Sequence, residues 1–171
     1  MEATNKVIRI AISGPESCGK STLASALGEY FKTEFIQEYA RTYLSEKKTN
    51  YTRDDLDLIA EGQFNSIIAN QNKIVISDTD FVVLKVWSED KFNTCSNKIN
   101  SLVSQNRFDL HILCSPDIPW QDDPLRENPN NRHELFEKYL EVLERYNKDY
   151  IIISGNHNDR LKKSITAIES I

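Results

Sequence analysis

One run of eight residues, Gly14-Pro15-Glu16-Ser17-Cys18-Gly19-Lys20-Ser21, constrains this chain more than any other, because it spells G-x-x-x-x-G-K-[ST] between a strand pattern and a helix pattern. Residues 7–12 are mostly apolar and β-branched, as a buried strand requires, and residues 21–31 put Leu23, Ala24, Leu27, Tyr30 and Phe31 on one helical face. The run therefore sits where a strand hands over to a helix. There the backbone N–H groups of the first helical turn have no intrahelical partner and point at an anion. Gly14 and Gly19 give the backbone conformations and approach distances that a Cβ blocks, Lys20 supplies a point charge to the outer phosphates, and Ser21 is placed to ligate Mg²⁺. The residues expected to hold a nucleotide are Gly14, Glu16, Ser17, Cys18, Gly19, Lys20, Ser21 and Thr22. Cys18, beside Lys20 at a helix start, is either an activated thiol or a passive small side chain.

A chain of 171 residues is the size of one domain and hides about 70% of the surface its unfolded form exposes. Its net charge of -5 argues against a general nucleic-acid binder, which needs a basic face to displace counterions from phosphates. Cys18, Cys95 and Cys114 are odd in number and far apart in sequence, which suits reduced thiols in a cytosol. Residues 1–6 carry no apolar leader core, and no apolar run approaches the ~18 residues of a membrane span. A soluble cytoplasmic protein without membrane or nucleic-acid partners is expected, with its oligomeric state, a homo-oligomer included, left open.

In chain order, residues 34–40 read as a second strand that delivers Glu38, Tyr39 and Arg41 at its end. Thr52 is an N-cap with Asp54 and Asp55 in the first turn of a long helix whose apolar face runs through Leu56, Ile59, Ala60, Phe64, Ile67 and Ile68. Residues 73–80 form a buried strand ending in Ser77-Asp78-Thr79-Asp80, where Asp78 is the first choice for the magnesium shell. Helices over 81–90 and 97–105 precede a strand at 109–114; a helix over 131–147, a strand at 150–154 and a last helix with Leu161, Ile165 and Ile168 follow. Alternating strands and helices predict a three-layer α/β/α, P-loop kinase-like fold on a five-stranded parallel sheet. Residues 117–132 interrupt the alternation: Pro119, Pro124 and Pro129 exclude regular structure, while Trp120, Arg126 and Arg132 supply chemistry, so the segment reads as a lid.

A phosphate-binding loop alone does not separate a kinase from other nucleotide hydrolases. The short single domain, the arginine-bearing lid and the lack of an Asn-Lys-x-Asp segment favour a small-molecule kinase. An acceptor hydroxyl needs a carboxylate in reach, and Glu38 and Asp80 are the two candidates.

At this point a resemblance becomes specific. The phosphate loop, Glu38-Tyr39-Ala40-Arg41, Asp54-Asp55-Leu56 with Gly62-Gln63, Ser77-Asp78-Thr79-Asp80, and Pro119-Trp120 followed by Asp123-Pro124-Leu125-Arg126 occur in the order found in the nicotinamide-riboside kinase domain of the NadR family. The resemblance covers nearly the whole chain. It implies transfer of the γ-phosphate of ATP to the 5′-hydroxyl of nicotinamide riboside, giving nicotinamide mononucleotide for NAD salvage. It also implies that Lys20 and Ser21 hold ATP and Mg²⁺, that Asp78 supports the metal, and that Glu38 or Asp80 handles the acceptor ribose. Arg126 and Arg132 would cap the phosphates, Arg41 would position substrate or phosphate, and Tyr39, Trp87 and Trp120 are the aromatics available to the cationic nicotinamide ring. For Trp87, on an apolar helical face, core packing is the competing role. Cys18 stands where family members often carry serine, and the chain starts at the first strand, so neither adenylylation nor a repressor role is expected of it. Residues 156–160 are the place suggested for adenine contacts. A kinase for another nucleoside or nucleotide, and a regulator that binds ATP and NAD metabolites without turnover, are the alternative readings.

Overall fold

The computed structural model describes residues 6–105 and 107–171. Of residues 1–6, where no apolar leader core is expected, residues 1–5 lie outside the described residues. Four strands, β1 (Ile8–Ser13), β2 (Ile74–Asp78), β3 (Leu110–Cys114) and β4 (Tyr150–Ile153), pair in parallel in the order β2-β1-β3-β4. The strands are rich in Ile, Val and Leu without strict alternation, because both faces of the sheet are covered. On one face Ile10, Ile12, Ile112 and Ile153 pack with Leu23, Leu27 and Ile168 of α1 (Lys20–Phe31) and α7 (His157–Glu169). On the other, Ala11 and Leu113 meet α3 (Arg53–Ala69), α4 (Phe81–Phe92), α5 (Asn97–Ser104) and α6 (Arg132–Arg145) through Leu56, Ile59, Phe81, Leu84, Ile99 and Leu143. The result is the three-layer sandwich expected of a parallel sheet.

The fifth strand is a correction. Residues 34–38 touch the sheet through a single bridge, Ile36 against Ser77, made by Ile36 N to Ile76 O and Asp78 N to Ile36 O, both 2.8 Å. Pairing stops there because the chain turns into α2 (Tyr39–Glu46), for which Glu38 is the N-cap residue. The i, i+3, i+4 set Ala40, Tyr43 and Leu44 packs this helix on the core, and that spacing was available in the sequence as a helix signal. Elsewhere the boundaries agree with the pattern. Thr52 opens α3 with a full capping box, its side chain facing the Asp55 N–H while Asp55 accepts from Thr52 N at 2.6 Å. Tyr30 does not join the buried face of α1: it is exposed and donates to Glu169 at 3.1 Å. None of the described helices is long and apolar enough to cross a membrane.

Candidate active site

A crevice opens past the carboxyl end of β1, the usual ligand position in an open parallel sheet, with Asp78 at the end of β2 beside it through the Ser21 hydroxyl. A cavity of about 220 Å³ opens there, walled by the loop after β1, by Glu38, Ala40, Arg41 and Leu44 of α2 and its cap, by Val83, Val86, Trp87 and Asp90 of α4, and by the lid. Among the lid residues, Ile118, Gln121, Leu125, Arg126 and Asn128 reach it.

The loop takes its shape from two glycines and one strained serine. Gly14 has φ 136°, and a Cβ there would meet the Cys114 carbonyl oxygen at 2.8 Å and Cys18 Sγ at 2.9 Å. Gly19, at φ 84°, is the N-cap of α1, and Ser17 lies at φ 54°. Neither a capping side chain nor an acidic residue occupies the first turn of α1, which leaves its amides free for an external anion. Lys20 folds over the loop and donates to Gly14 O at 2.9 Å and Pro15 O at 2.8 Å. Burial alone would lower the Lys20 ammonium, but the charges of Cys18, Glu38 and Asp78 raise it above the ordinary lysine value. Lys20 therefore stays charged where a polyphosphate would lie.

Glu38 and Asp78 meet the loop from the α2 cap and the end of β2. Burial pushes the Glu38 carboxyl up; Lys20 opposes this and Asp78 reinforces it, with a net rise. Its carboxylate makes no cap bond, lines the cavity, and has Arg41 Nε at 3.8 Å. Such a group is a stronger base than an ordinary carboxylate. Asp78, 4% exposed, is likewise raised by burial against the pull of the Ser21 hydroxyl and Lys20. Its buried Oδ1 has no hydrogen-bond partner among the described residues. An orphaned carboxylate oxygen beside a serine hydroxyl fits a hard cation of Mg²⁺ type. No cluster of three or more His, Cys, Asp or Glu among the described residues could hold a metal by itself, so such an ion would take its other ligands from water and phosphate.

Several expected site residues stand elsewhere. Asp80 is fully buried outside the cavity: Ser13 Oγ and His111 Nδ1 (2.7 Å) meet its Oδ2, and its Oδ1 caps α4 through Val83 N at 2.8 Å. Both oxygens are engaged in joining β1, β3 and α4, and Asp80 does not reach the cavity. Arg132 donates to Ser17 O and Ile118 O, both 2.9 Å, and so pins the lid to the loop instead of facing the cavity. Trp120 packs against that guanidinium at 5.7 Å and donates to Asp122 at 2.8 Å, also away from the cavity. Tyr39 lies over Gly62 of α3 and does not line the cavity. Arg160 is buried under the loop, giving Nη1 to Cys18 O at 2.8 Å, Nε to Gly155 O at 2.8 Å and Nη2 to Ser115 O at 3.0 Å. It braces the loop, and residues 156–160 do not line the cavity. Trp87, by contrast, does line it, held by its Nε1 bond to Tyr51 at 3.0 Å.

Arg126 stands at the cavity with Nη1 near Ser17 Oγ at 3.4 Å and on Gln121 O. Glu16 accepts from the Glu127 and Asn128 amides at 2.8–3.1 Å, and Arg41 holds Asp123 at 2.9 Å, so the lid is strapped on both sides. The fold also brings together two cysteines that the sequence separates. Burial pushes the Cys18 thiol up, but the Cys114 thiol, Lys20, Arg160 and Arg132 outweigh it and bring it down to about 7. Cys114 is pushed up by the same contact and by its burial. Sequence reasoning missed Gln121, Asn128, Tyr139 and Asp90, all of which reach the cavity from elements whose packing only the tertiary fold defines.

A phosphate-binding loop with the buried acid Asp78 against its Ser21, and a crevice that Glu38 and an arginine-bearing lid share with that loop, define a kinase-like nucleotide-binding protein. The chain belongs to the AAA domain family, matched over residues 9–160. It is 31% identical over 159 residues to the trifunctional NAD biosynthesis/regulator protein NadR of Escherichia coli, covering 88% of this chain and 39% of that one. Identity to NadR of Salmonella typhimurium is 28%, over 95% of this chain and 42% of the relative. The chain thus spans about two fifths of the curated relatives it matches. Among solved structures, NadR in complex with NR superposes at TM-score 0.79 with 22% identity, over 96% of this chain and 51% of that one. Deoxyadenosine kinase from M. mycoides with bound dCTP gives 0.59 at 13% identity, over 96% and 100%. These likenesses establish a P-loop kinase-like fold shared with NadR.

Proposed function

We propose that this protein transfers the γ-phosphoryl group of ATP to the 5′-hydroxyl of nicotinamide riboside, yielding nicotinamide mononucleotide. The observation that carries the reading is one cavity shared by Lys20 and Ser21, by the up-shifted carboxylate Glu38, and by the indole of Trp87. Phosphoryl transfer asks the protein for position and charge more than for covalent chemistry. The loop amides, Lys20 and Arg126 supply that charge, and Glu38 orients the acceptor hydroxyl and accepts its proton. A magnesium ion held by Ser21 and Asp78 would neutralise charge on the phosphoryl oxygens. The lid limits water at the reacting groups, which protects ATP from hydrolysis.

Trp87 offers an aromatic face to a cationic pyridinium ring, an attraction of about 0.5 to 2 kcal/mol. The kinship with NadR, and the solved NadR complexes with NR and with NAD and AMP-PNP, support this choice of acceptor and donor. A coupled ADP-release assay across a panel of nucleosides tests it. Turnover with nicotinamide riboside is expected; turnover with another nucleoside alone would reassign the acceptor, and tight binding without ADP release would make the protein a binder.

A further inference from the structure

Glu38 sits at the end of a segment that lacks the support of a strand. Residues 34–38 have one bridge to β2, at Ile36, and α2 begins with a cap that makes no side-chain bond. Something else must fix where the Glu38 carboxylate stands relative to Asp78. Gln63, fully buried on α3, makes that connection. Its Oε1 accepts from Tyr39 N at 2.8 Å, the first amide of α2 and the peptide joined directly to Glu38. Its Nε2 donates to Ser77 Oγ at 3.0 Å, and Ser77 Oγ donates in turn to Thr79 O at 2.8 Å. The direction of this relay is fixed by chemistry: a backbone N–H can only donate, so the oxygen of the amide must face Tyr39 and the nitrogen must face Ser77. Ser77 is itself fully buried, so no water competes.

The two ends of the relay bracket the two acids. At one end is the Glu38–Tyr39 peptide. At the other are Ser77 and Thr79, the residues on either side of Asp78. Thr79 has φ 101°, a backbone conformation that a β-branched residue keeps only when its surroundings impose it, and the Ser77 hydroxyl holds its carbonyl. The neighbouring Gly62 belongs to the same arrangement: a Cβ there would fall 2.3 Å from Tyr39 Cε1, so the missing side chain is what lets the Tyr39 ring lie on α3 and bring its amide to Gln63.

We propose that Gln63 is a positioning residue that sets the separation of Glu38 from Asp78 by tying the α2 amide at Tyr39 to the Ser77–Thr79 turn. This rests on the reading of Glu38 as the group that activates the acceptor hydroxyl. A misplacement of about 1 Å at such a group costs on the order of 10²-fold in rate. The test is a double-mutant cycle in the full chain, with ATP and the nucleoside it turns over, comparing Gln63→Leu, Glu38→Gln and the pair. The expected result is a fall in kcat of about 10- to 100-fold for Gln63→Leu with the KM for ATP nearly unchanged. In the Glu38→Gln background the same change should cost almost nothing further, because there is no base left to position. An equal loss of kcat in both backgrounds would overturn the proposal while leaving Glu38 in its role. Wild-type kcat in Glu38→Gln alone would instead overturn the reading beneath it, in a variant that leaves Gln63 intact. Ser77→Ala keeps the Gln63 bond to Tyr39, removes the far end of the relay and serves where Gln63→Leu does not fold. Its kcat should fall with the KM for ATP preserved, and an unchanged kcat would overturn the link to Asp78.

Discussion

The ammonium of Lys20 rests on the carbonyl oxygen of Pro15 at 2.8 Å, five residues back in its own loop. A side chain that braces its loop through carbonyls and turns to a ligand when one arrives has two separable effects. Lys20→Ala should lower turnover on the order of 10²- to 10³-fold, as loss of one preorganised charge partner does. Its unfolding free energy should fall by only about 1 to 2 kcal/mol, the net value of the lost bonds. Steady-state kinetics and a denaturant melt on the same preparation check both; retained activity would count against the loop as the phosphate site.

Glu38 predicts a pH profile. Burial raises its carboxyl above the ordinary glutamate value, Lys20 pulls it down and Asp78 raises it further. A protonated Glu38 cannot accept the hydroxyl proton, so kcat/KM should rise with pH through a limb above the usual carboxylate range and then level off. Glu38→Gln should abolish the limb along with most of the rate. The stability consequence has the opposite sign. A carboxyl raised on folding contributes fully below its unfolded value and loses that contribution as pH rises through the folded one, so Glu38→Gln should gain stability relative to wild type as pH increases. Melting curves at several pH values measure this directly.

Asp80 is expected to matter for folding and not for acceptor binding. It is buried with Ser13, His111 and the first turn of α4 on its oxygens, and removing one partner of such a group costs roughly 3 to 5 kcal/mol. Asp80→Ala should therefore lower Tm by about 6 to 20 °C for a chain of this size. In the milder Asp80→Asn the KM for acceptor should stay near wild type; a large rise in that KM would return Asp80 to the site.

What the sequence disclosed and what it hid differ in range. The phosphate loop between β1 and α1, the acid at the end of β2 and the capping box of α3 are local patterns, and residues a few positions apart determine them. Glu38 and Asp80 look alike in the sequence because what separates them in the fold, one at the cavity and one buried away from it, depends on the bonds of Asp80 to His111, 31 residues away, and to Ser13, 67 residues away. Arg132 and Arg126 are alike in sequence, both polar and lid-borne. Only the positions of the Ser17 and Ile118 carbonyls decide that Arg132 fastens the lid while Arg126 faces the cavity. The strand expected over residues 34–40 failed for a related reason, since strand character needs a partner for several residues and β2 offers one for Ile36 alone.

The α4 wall of the cavity makes its own prediction. Trp87 lines the cavity with its Nε1 tied to Tyr51, while Trp120 faces Arg132. Trp87→Ala should raise the KM for nicotinamide riboside by about 2- to 30-fold, the loss of a cation–π contact, with the KM for ATP little changed. Trp120→Ala should leave the acceptor KM near wild type. Initial-rate measurements with each substrate varied distinguish the two tryptophans.

The most direct measurement is product analysis. Purified protein incubated with ATP, Mg²⁺ and nicotinamide riboside should form nicotinamide mononucleotide in step with ADP, with neither formed by Lys20→Ala. ADP released at the same rate with and without the riboside, and no nicotinamide mononucleotide, would contradict the account.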